Sequence, residues 1–268
     1  MTINNIDMDR LTIIKVGGKI VEDEASLQRL IADFSAIEGK KILVHGGGRS
    51  ATKMAAELGI ETRMVNGRRI TDAAMLEVVT MVYGGLVNKT LVARLQSHDI
   101  NAIGLTGADA GIVLSHRRPV VDVDYGFVGD VDNVSSKTLT QLIEAGITPV
   151  LAPLTHDGEG HILNTNADTI ASETAKALAI QYDVTLIFAF EKPGVLASPD
   201  DDSSVIPVIT RSLFKQYQED GTISGGMLPK IENALAAVDA GVSRVIITKS
   251  DAIDGHHGTV ISSNHTTT

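Results

Sequence analysis

Two lysines, one aspartate and a set of glycine-rich loops are the residues that could do chemistry. Lys15 stands two residues before the pair Gly17–Gly18, and Lys230 stands four after Gly226. Three consecutive glycines, Gly46 to Gly48, follow the apolar run "KILVH", and more occur in "TGADAG" and "SGGM". Glycine lets another group approach the backbone closely. A glycine loop that opens a helix adds free N–H groups and partial positive charge. Several such nests with separate lysines suit a polyanion spread along a cleft, such as a triphosphate meeting an anionic acceptor. Each feature alone has a plainer reading. A glycine pair is usually a turn, and a strand lysine can run its stem to the sheet's end. Lys230 on a helix can be a solvated charge, and Asp168 after Asn166 can simply start a helix. Their joint occurrence at strand ends favours the phosphate site.

Two familiar phosphate motifs do not account for these glycines. The P-loop pattern fails because Ile20 follows Lys19 and no glycine stands at position 13. The dinucleotide fingerprint matches formally at Gly46, Gly48 and Ala51. It lacks the acid that should end the next strand, since Asp72 lies beyond the turn "NGRRITD".

The elements that must hold these residues alternate. "LTIIKV", "KILVH", "ITPVLAP", "VTLIFAF" and "RVIITKS" read as buried strands. Helical patterns run from about residue 24 to 37, over "SATKMAAEL" with Ser50 as its N-cap, and from about 72 to 96. Gly84 and Gly85 predict a bend or close helix packing in the last of these. Others cover about 136–144, "ADTIASETAKALAI", "TRSLFKQYQED" and "KIENALAAVDAG". "VDYGFVGDVDNV" reads as exposed antiparallel strands, "HDGEGHILN" as a hairpin, and "NHTTT" as a frayed tail. Alternation of this kind predicts an α/β protein with a largely parallel sheet. In such a sheet the loops after the strands gather along one edge.

Composition narrows the function. With no Trp and 3% aromatic residues, the core must be aliphatic, as suits strands covered on both faces. A net charge of −10 argues against nucleic acid or an anionic membrane as partner, but not against a small anion. Without cysteine there is no disulfide, zinc–thiolate site or thiol nucleophile. No leader and no run of membrane-spanning length is evident, so a cytoplasmic location is expected. The 268 residues suffice for one large domain or two lobes on a shared core.

Taken together, "IIKVGGK", "VHGGG", "NGRRITD", "NTNAD" and "GGMLPKIENAL" resemble the amino acid kinase family, from about Leu11 to Ile261. Within it, the resemblance is to the branch that phosphorylates the side-chain carboxylate of N-acetyl-L-glutamate in arginine biosynthesis. The implied fold is a three-layer αβα sandwich with a mainly parallel eight-stranded sheet. Residues 1–180 would bind the amino acid and form a homodimer, and residues 181–268 would bind the nucleotide. The implied reaction moves the γ-phosphoryl of ATP, supplied with Mg2+, onto a carboxylate. A carboxylate with a free pKa of about 4.3 is already ionised and needs no general base. Catalysis is then positioning and charge stabilisation.

The resemblance also implies roles. Lys15 and Lys230 would stabilise the transferred group, and Asp168 would hold both lysines by ion pairing. Gly18 and Gly47 would donate N–H bonds to the phosphoryl. Gly47, Gly48, Arg69 and Asn164 would border the acceptor, with Arg69 on its α-carboxylate. Glu191, Gly194, Val195, Leu196, Gly225, Gly226, Met227 and Lys230 would line the ATP pocket. Magnesium would sit on phosphates and water, so no protein ligand is assigned.

Three departures from the family pattern stand out. "FAFEKPGVL" replaces a more usual "LTD" or "LTN" strand end. Arg68 occupies a commonly apolar position, which raises N-succinyl-L-glutamate as an alternative acceptor. Only about ten residues precede the first strand, from which an arginine-insensitive dimer is expected. Carbamate kinase, uridylate kinase and a non-catalytic amino-acid sensor are the remaining readings. The retained Lys15, Lys230 and Asp168 argue against the sensor.

Overall fold

The protein is described by a computed structural model over residues 8–225 and 227–263. The polar lead-in before residue 8, Gly226 and the tail "NHTTT" lie outside the described residues. In chain order the first half contains β1 (Arg10–Val16), α1 (Gly18–Glu22), α2 (Glu24–Ala36), β2 (Lys40–His45), α3 (Gly48–Glu57), β3 (Met64–Val65), β4 (Arg68–Arg69), α4 (Ala73–Val79), a π-helical stretch (Thr80–Val87), α5 (Asn88–Gln96), β5 (Ala102–Leu105), β6 (Val113–Arg117) and β7 (Gly129–Val134). The second contains α6 (Ser136–Glu144), β8 (Thr148–Leu151), β9 (Leu154–His156), β10 (Ile162–Asn164), α7 (Ala167–Leu178), β11 (Asp183–Phe190), β12 (Val208–Thr210), α8 (Arg211–Glu219), α9 (Met227–Asp239), β13 (Arg244–Lys249) and β14 (Thr259–Ser262).

Eight strands form one sheet in the order β12-β14-β13-β11-β1-β2-β8-β5, with β13–β14 as its antiparallel pair. The mainly parallel eight-stranded sheet expected from the sequence is present. β1 is buried on both sides because its residues alternate between two apolar layers. Leu11 and Ile13 join one cluster with Leu139, Ile170 and Ile231, whereas Ile14 and Val16 join another with Leu30, Phe34 and Val78. Each fully buried side chain of this kind contributes about 1.5–3 kcal/mol. The register sets Val16 beside His45 on β2 and Ala189 on β11, so three strands end together. Their loops therefore share one edge. β11, beyond residue 180, pairs along the whole of β1, so the two expected lobes share a single sheet.

One buried cation locks a helix to this sheet. Lys41 Nζ donates to the carbonyls of Phe34, Ser35 and Ile37 at the end of α2, which helix termini otherwise leave unpaired. Burial pushes its pKa down.

Several local expectations change. α3 begins at Gly48 with Gly47 as its cap, not at Ser50. The Ser50 N–H and hydroxyl instead donate to Glu22 Oε1 at 2.7 and 2.8 Å. "NGRRITD" is more than a turn. Asn66 (φ 49°) and Gly67 (φ 73°) form the two-residue bend of the β3–β4 hairpin. "VDYGFVGDVDNV" supplies one regular strand, β7, whose partner β6 has no clear alternation because the pair contains a bulge at Leu114/Ser115. The helical pattern at 72–96 is continuous, and its π-helical stretch contains Gly84 and Gly85. By length and composition this 24-residue helix could cross a membrane, contrary to the sequence reading. Its Met75, Val78, Val79, Leu91 and Leu95 are buried in the core.

Candidate active site

β1 and α7 bring the first charges together. Lys15 shares the strand face of Leu11 and Ile13, the face that packs on α7. The Asn166 side chain caps α7 by accepting from the N–H of Asp168 (2.7 Å) and Thr169 (3.2 Å). Asp168 thus sits in the first turn, where a carboxylate is favoured by the helix dipole. Lys15 Nζ lies 2.7 Å from Asp168 Oδ1. Lys230 comes from the first turn of α9, and its Nζ lies 3.8 Å from the centroid of the Phe190 ring. Lys15 Nζ lies 5.3 Å from the same ring. One aromatic ring therefore attracts both cations. Burial pushes the Lys230 pKa down, Lys15 pushes the same way, and Asp168 opposes them. Among the described residues no carboxylate lies within 4 Å of Lys230, so Asp168 is in contact with Lys15 alone.

The two glycine loops interlock beside this pair. A Cβ at Gly18 would lie 3.2 Å from the Gly47 nitrogen and 3.3 Å from that of Gly48. Lacking one, Gly18 leaves those amides open. Neither amide has an acceptor among the described residues. At Gly47 a Cβ would meet Tyr83 Cδ1 at 2.9 Å, whereas at Gly48 it would have ordinary room, 3.8 Å from Arg69 Nη2.

Arg69, Asn164 and Tyr83 line a cavity of about 210 Å³ against Gly47 and Gly48. Arg69 Nη2 donates to Gly48 O (2.8 Å) and Thr52 Oγ1 (2.9 Å). It is buried and, among the described residues, pairs with no carboxylate. A buried guanidinium without a counter-ion is ready for a planar anion. Asn164 Nδ2 donates to Thr71 Oγ1 at 2.9 Å. Burial pushes the Tyr83 pKa up. Arg68 also lines this cavity. Burial holds its pKa down, as does Arg118, which is itself engaged by Asp130.

A larger cleft of about 860 Å³ opens on the other side of the glycines. Gly48, Met64 and Arg69 border both spaces, so their contents can meet there. Lys19, Arg49 and Lys53 add positive charge to the large cleft. Glu191 is on its wall, 2.8 Å from Lys19 Nζ, which holds its carboxyl below the usual range. Gly194, Met227 and Lys230 are on the wall as well. Val195 and Leu196 are not. Val195 is core and its N–H donates to Thr259 Oγ1 at 2.8 Å, while Leu196 bridges to Val205. Gly225 is also off the wall, and Gly226 lies outside the described residues. The sequence reading missed Tyr83, Phe190, Arg49 and Lys53. The last two were legible as a cationic i, i+4 pair in the helix that the glycines open.

Known proteins bear on this arrangement. Residues 10–249 match the amino acid kinase family. An acetylglutamate kinase of Phocaeicola vulgatus is 66% identical over 253 residues, spanning 94% of this chain and 98% of that protein. An acetylglutamate kinase of Bacteroides thetaiotaomicron is 63% identical over the same length and equal shares. A crystal structure from Streptococcus mutans superposes with a TM-score of 0.77 at 29% identity, covering 94% of this chain and 98% of that one.

Proposed function

The chain belongs to the amino acid kinase family, and from that premise we propose that it transfers the γ-phosphoryl of MgATP to the side-chain carboxylate of N-acetyl-L-glutamate, a step of arginine biosynthesis. The observation that carries this reading is the meeting of the two cavities at Gly48 and Arg69, with Gly17 and Gly18, from the loop that follows Lys15, on the wall of the larger one and the open glycine amides on the smaller. A carboxylate oxygen of the acceptor attacks the γ-phosphorus, the bond to the ADP oxygen breaks, and an acyl phosphate and ADP leave. No proton moves. Both reactants are anions, so the groups needed are those that offset charge and fix the approach.

Arg69 takes the α-carboxylate in a two-pronged hydrogen bond, and Asn164 holds the body of the acceptor. Gly47 and Gly48 border it. The amides of Gly18 and Gly47 receive the phosphoryl oxygens. Lys15, steadied by Asp168, and Lys230 stabilise the charge that builds in transfer. Glu191, Gly194 and Met227 border the ATP, with Val195 and Leu196 behind them. The carboxylates nearest the site are engaged, Asp168 by Lys15 and Glu191 by Lys19. That fits a magnesium ion arriving with ATP and held by phosphates and water.

Residues 1–180 form the acceptor lobe and residues 181–268 the nucleotide lobe. The chain is a cytoplasmic homodimer. Met81 and Leu86, 55% and 56% exposed on the long helix, favour pairing through that face. The relatives' common name favours the acetyl acceptor over N-succinyl-L-glutamate, and this kinase over carbamate kinase, uridylate kinase or a sensor. An assay of ADP release tests the reading. Release should require N-acetyl-L-glutamate, and hydroxylamine should trap the acyl-phosphate product as a hydroxamate. Silence with that acceptor, or equal turnover of carbamate, would overturn it.

A further inference from the structure

Beneath the glycine loop, His45 ends β2 with no exposed surface. Its Nδ1 lies 2.7 Å from Gly46 O. A carbonyl only accepts, so Nδ1 carries the proton. Nε2 is then the acceptor for Asn88 Nδ2 at 3.1 Å. The same Nδ2 donates to Val150 O at 2.9 Å, and Asn88 Oδ1 accepts from Lys89 Nζ at 3.1 Å. Lys89 Nζ also donates to Gly104 O at 2.7 Å. The chain of bonds fixes which way both the imidazole and the amide face. It reaches from β2 through the start of α5 to β8 and β5. Gly104 makes room for it, since a Cβ there would stand 1.9 Å from Asn88 Oδ1.

We propose that His45 is a positioning residue: by holding the Gly46 carbonyl it aims the Gly47 amide at the phosphoryl group in transfer. The inference rests on the assignment of that amide to the phosphoryl. The Gly46–Gly47 peptide is trans, and a trans peptide unit is planar with its C=O and N–H pointing in opposite directions. Fixing the oxygen inward on His45 fixes the N–H outward. Three glycines in a row have no side chains to restrain them, and a donor must be set before charge develops if it is to stabilise a transition state. His45 supplies that restraint from below, and the Tyr83 ring packs against Gly47 from the side. Burial brings the imidazole pKa down to about 4, so the ring holds one neutral tautomer at working pH.

The experiment compares the wild-type protein with His45→Phe, which keeps a ring but loses the donor, and His45→Asn, whose amide can donate near the place of Nδ1. The probe is MgADP with aluminium fluoride and N-acetyl-L-glutamate, a mimic of the phosphoryl in flight. Wild type should bind the mimic far more tightly than MgADP alone. His45→Phe should lose about tenfold or more of that gain and of kcat, with MgADP affinity and the acceptor KM within about twofold. His45→Asn should restore most of it. If wild type gains nothing from the fluoride, the phosphoryl assignment itself fails. If wild type gains and His45→Phe gains equally, or both variants lose equally, the role of His45 fails. Should the phenylalanine variant not fold, nitrogen NMR of the wild-type imidazole decides: a proton on Nδ1 is required, and one on Nε2 overturns the proposal.

Discussion

The cavity proposed for the acceptor encloses about 210 Å³ behind Arg69, Asn164 and Tyr83, all buried. The cleft proposed for the nucleotide is about four times larger at about 860 Å³, and the charges on its outer wall, Lys19 and Glu191, are 52% and 57% exposed. The first is held by the fold. Arg69 is anchored to Gly48 and Thr52, and Asn164 to Thr71. The second is edged by side chains that water can reach. On the proposed function, recognition of the acceptor would be built into the packed protein, where one lost group leaves others unpaired. Recognition of the nucleotide would be shared among many exposed groups, each worth little alone. The proposed reaction would occur where the two designs meet.

The largest effects should come from the two lysines assigned to the transferred group, Lys15 and Lys230, and they should differ in kind. Lys15→Ala is expected to lower kcat by about 10²-fold or more while changing the ATP KM little, as for loss of a contact made in the transition state. It should also lower Tm, because Asp168 loses its partner in a largely buried pair. Lys230→Ala should lower kcat comparably and leave Tm near the wild-type value, since Lys230 forms no ion pair among the described residues. Steady-state kinetics with thermal melts would test the pair. Normal turnover in either variant would remove that lysine from the site.

How much of this was legible before the structure follows the same division. Buried strands were readable from "LTIIKV" and "VTLIFAF", because a strand covered on both faces must be apolar throughout. Short elements such as β6 and β12 were not, since a few residues beside a bulge or a polar loop carry no period. Lys15 and Asp168 were readable as candidates, and the resemblance implied their ion pair, which the structure contains, but not the geometry that makes it. That depends on strand parity and on the Asn166 cap, which only the fold brings together. Phe190 looked like a departure in a strand end. Its function as a shared surface for two lysines needs α9 in place. Tyr83 was hidden in a helix whose apolar pattern gave it no distinction. His45 read only as the last residue of a strand.

Arg69→Ala should raise the acceptor KM by about ten- to a hundredfold, the scale of a lost charge-assisted hydrogen bond. The ATP KM should stay within about twofold. This is the direct test of whether the buried pocket works independently of the open cleft. If both constants rise together, Arg69 acts mainly as a support for Gly48, and the two regions are not separable. Arg69→Lys should recover little, because one ammonium cannot reproduce the fork that reaches Gly48, Thr52 and a carboxylate.

The smallest effect should be at Glu191, and its direction is informative. Glu191 is paired with Lys19 across exposed surface, an arrangement that solvent and salt weaken. Replacing it by glutamine removes one negative charge from a cleft that must receive a polyanion, and it frees Lys19. The ATP KM of Glu191→Gln should therefore fall slightly, by less than about threefold, at low ionic strength. The difference should vanish when salt screens it. A rise of tenfold that salt leaves unchanged would mean that the carboxylate holds the nucleotide directly. The open cleft would then contain a fixed contact of the kind found in the acceptor pocket.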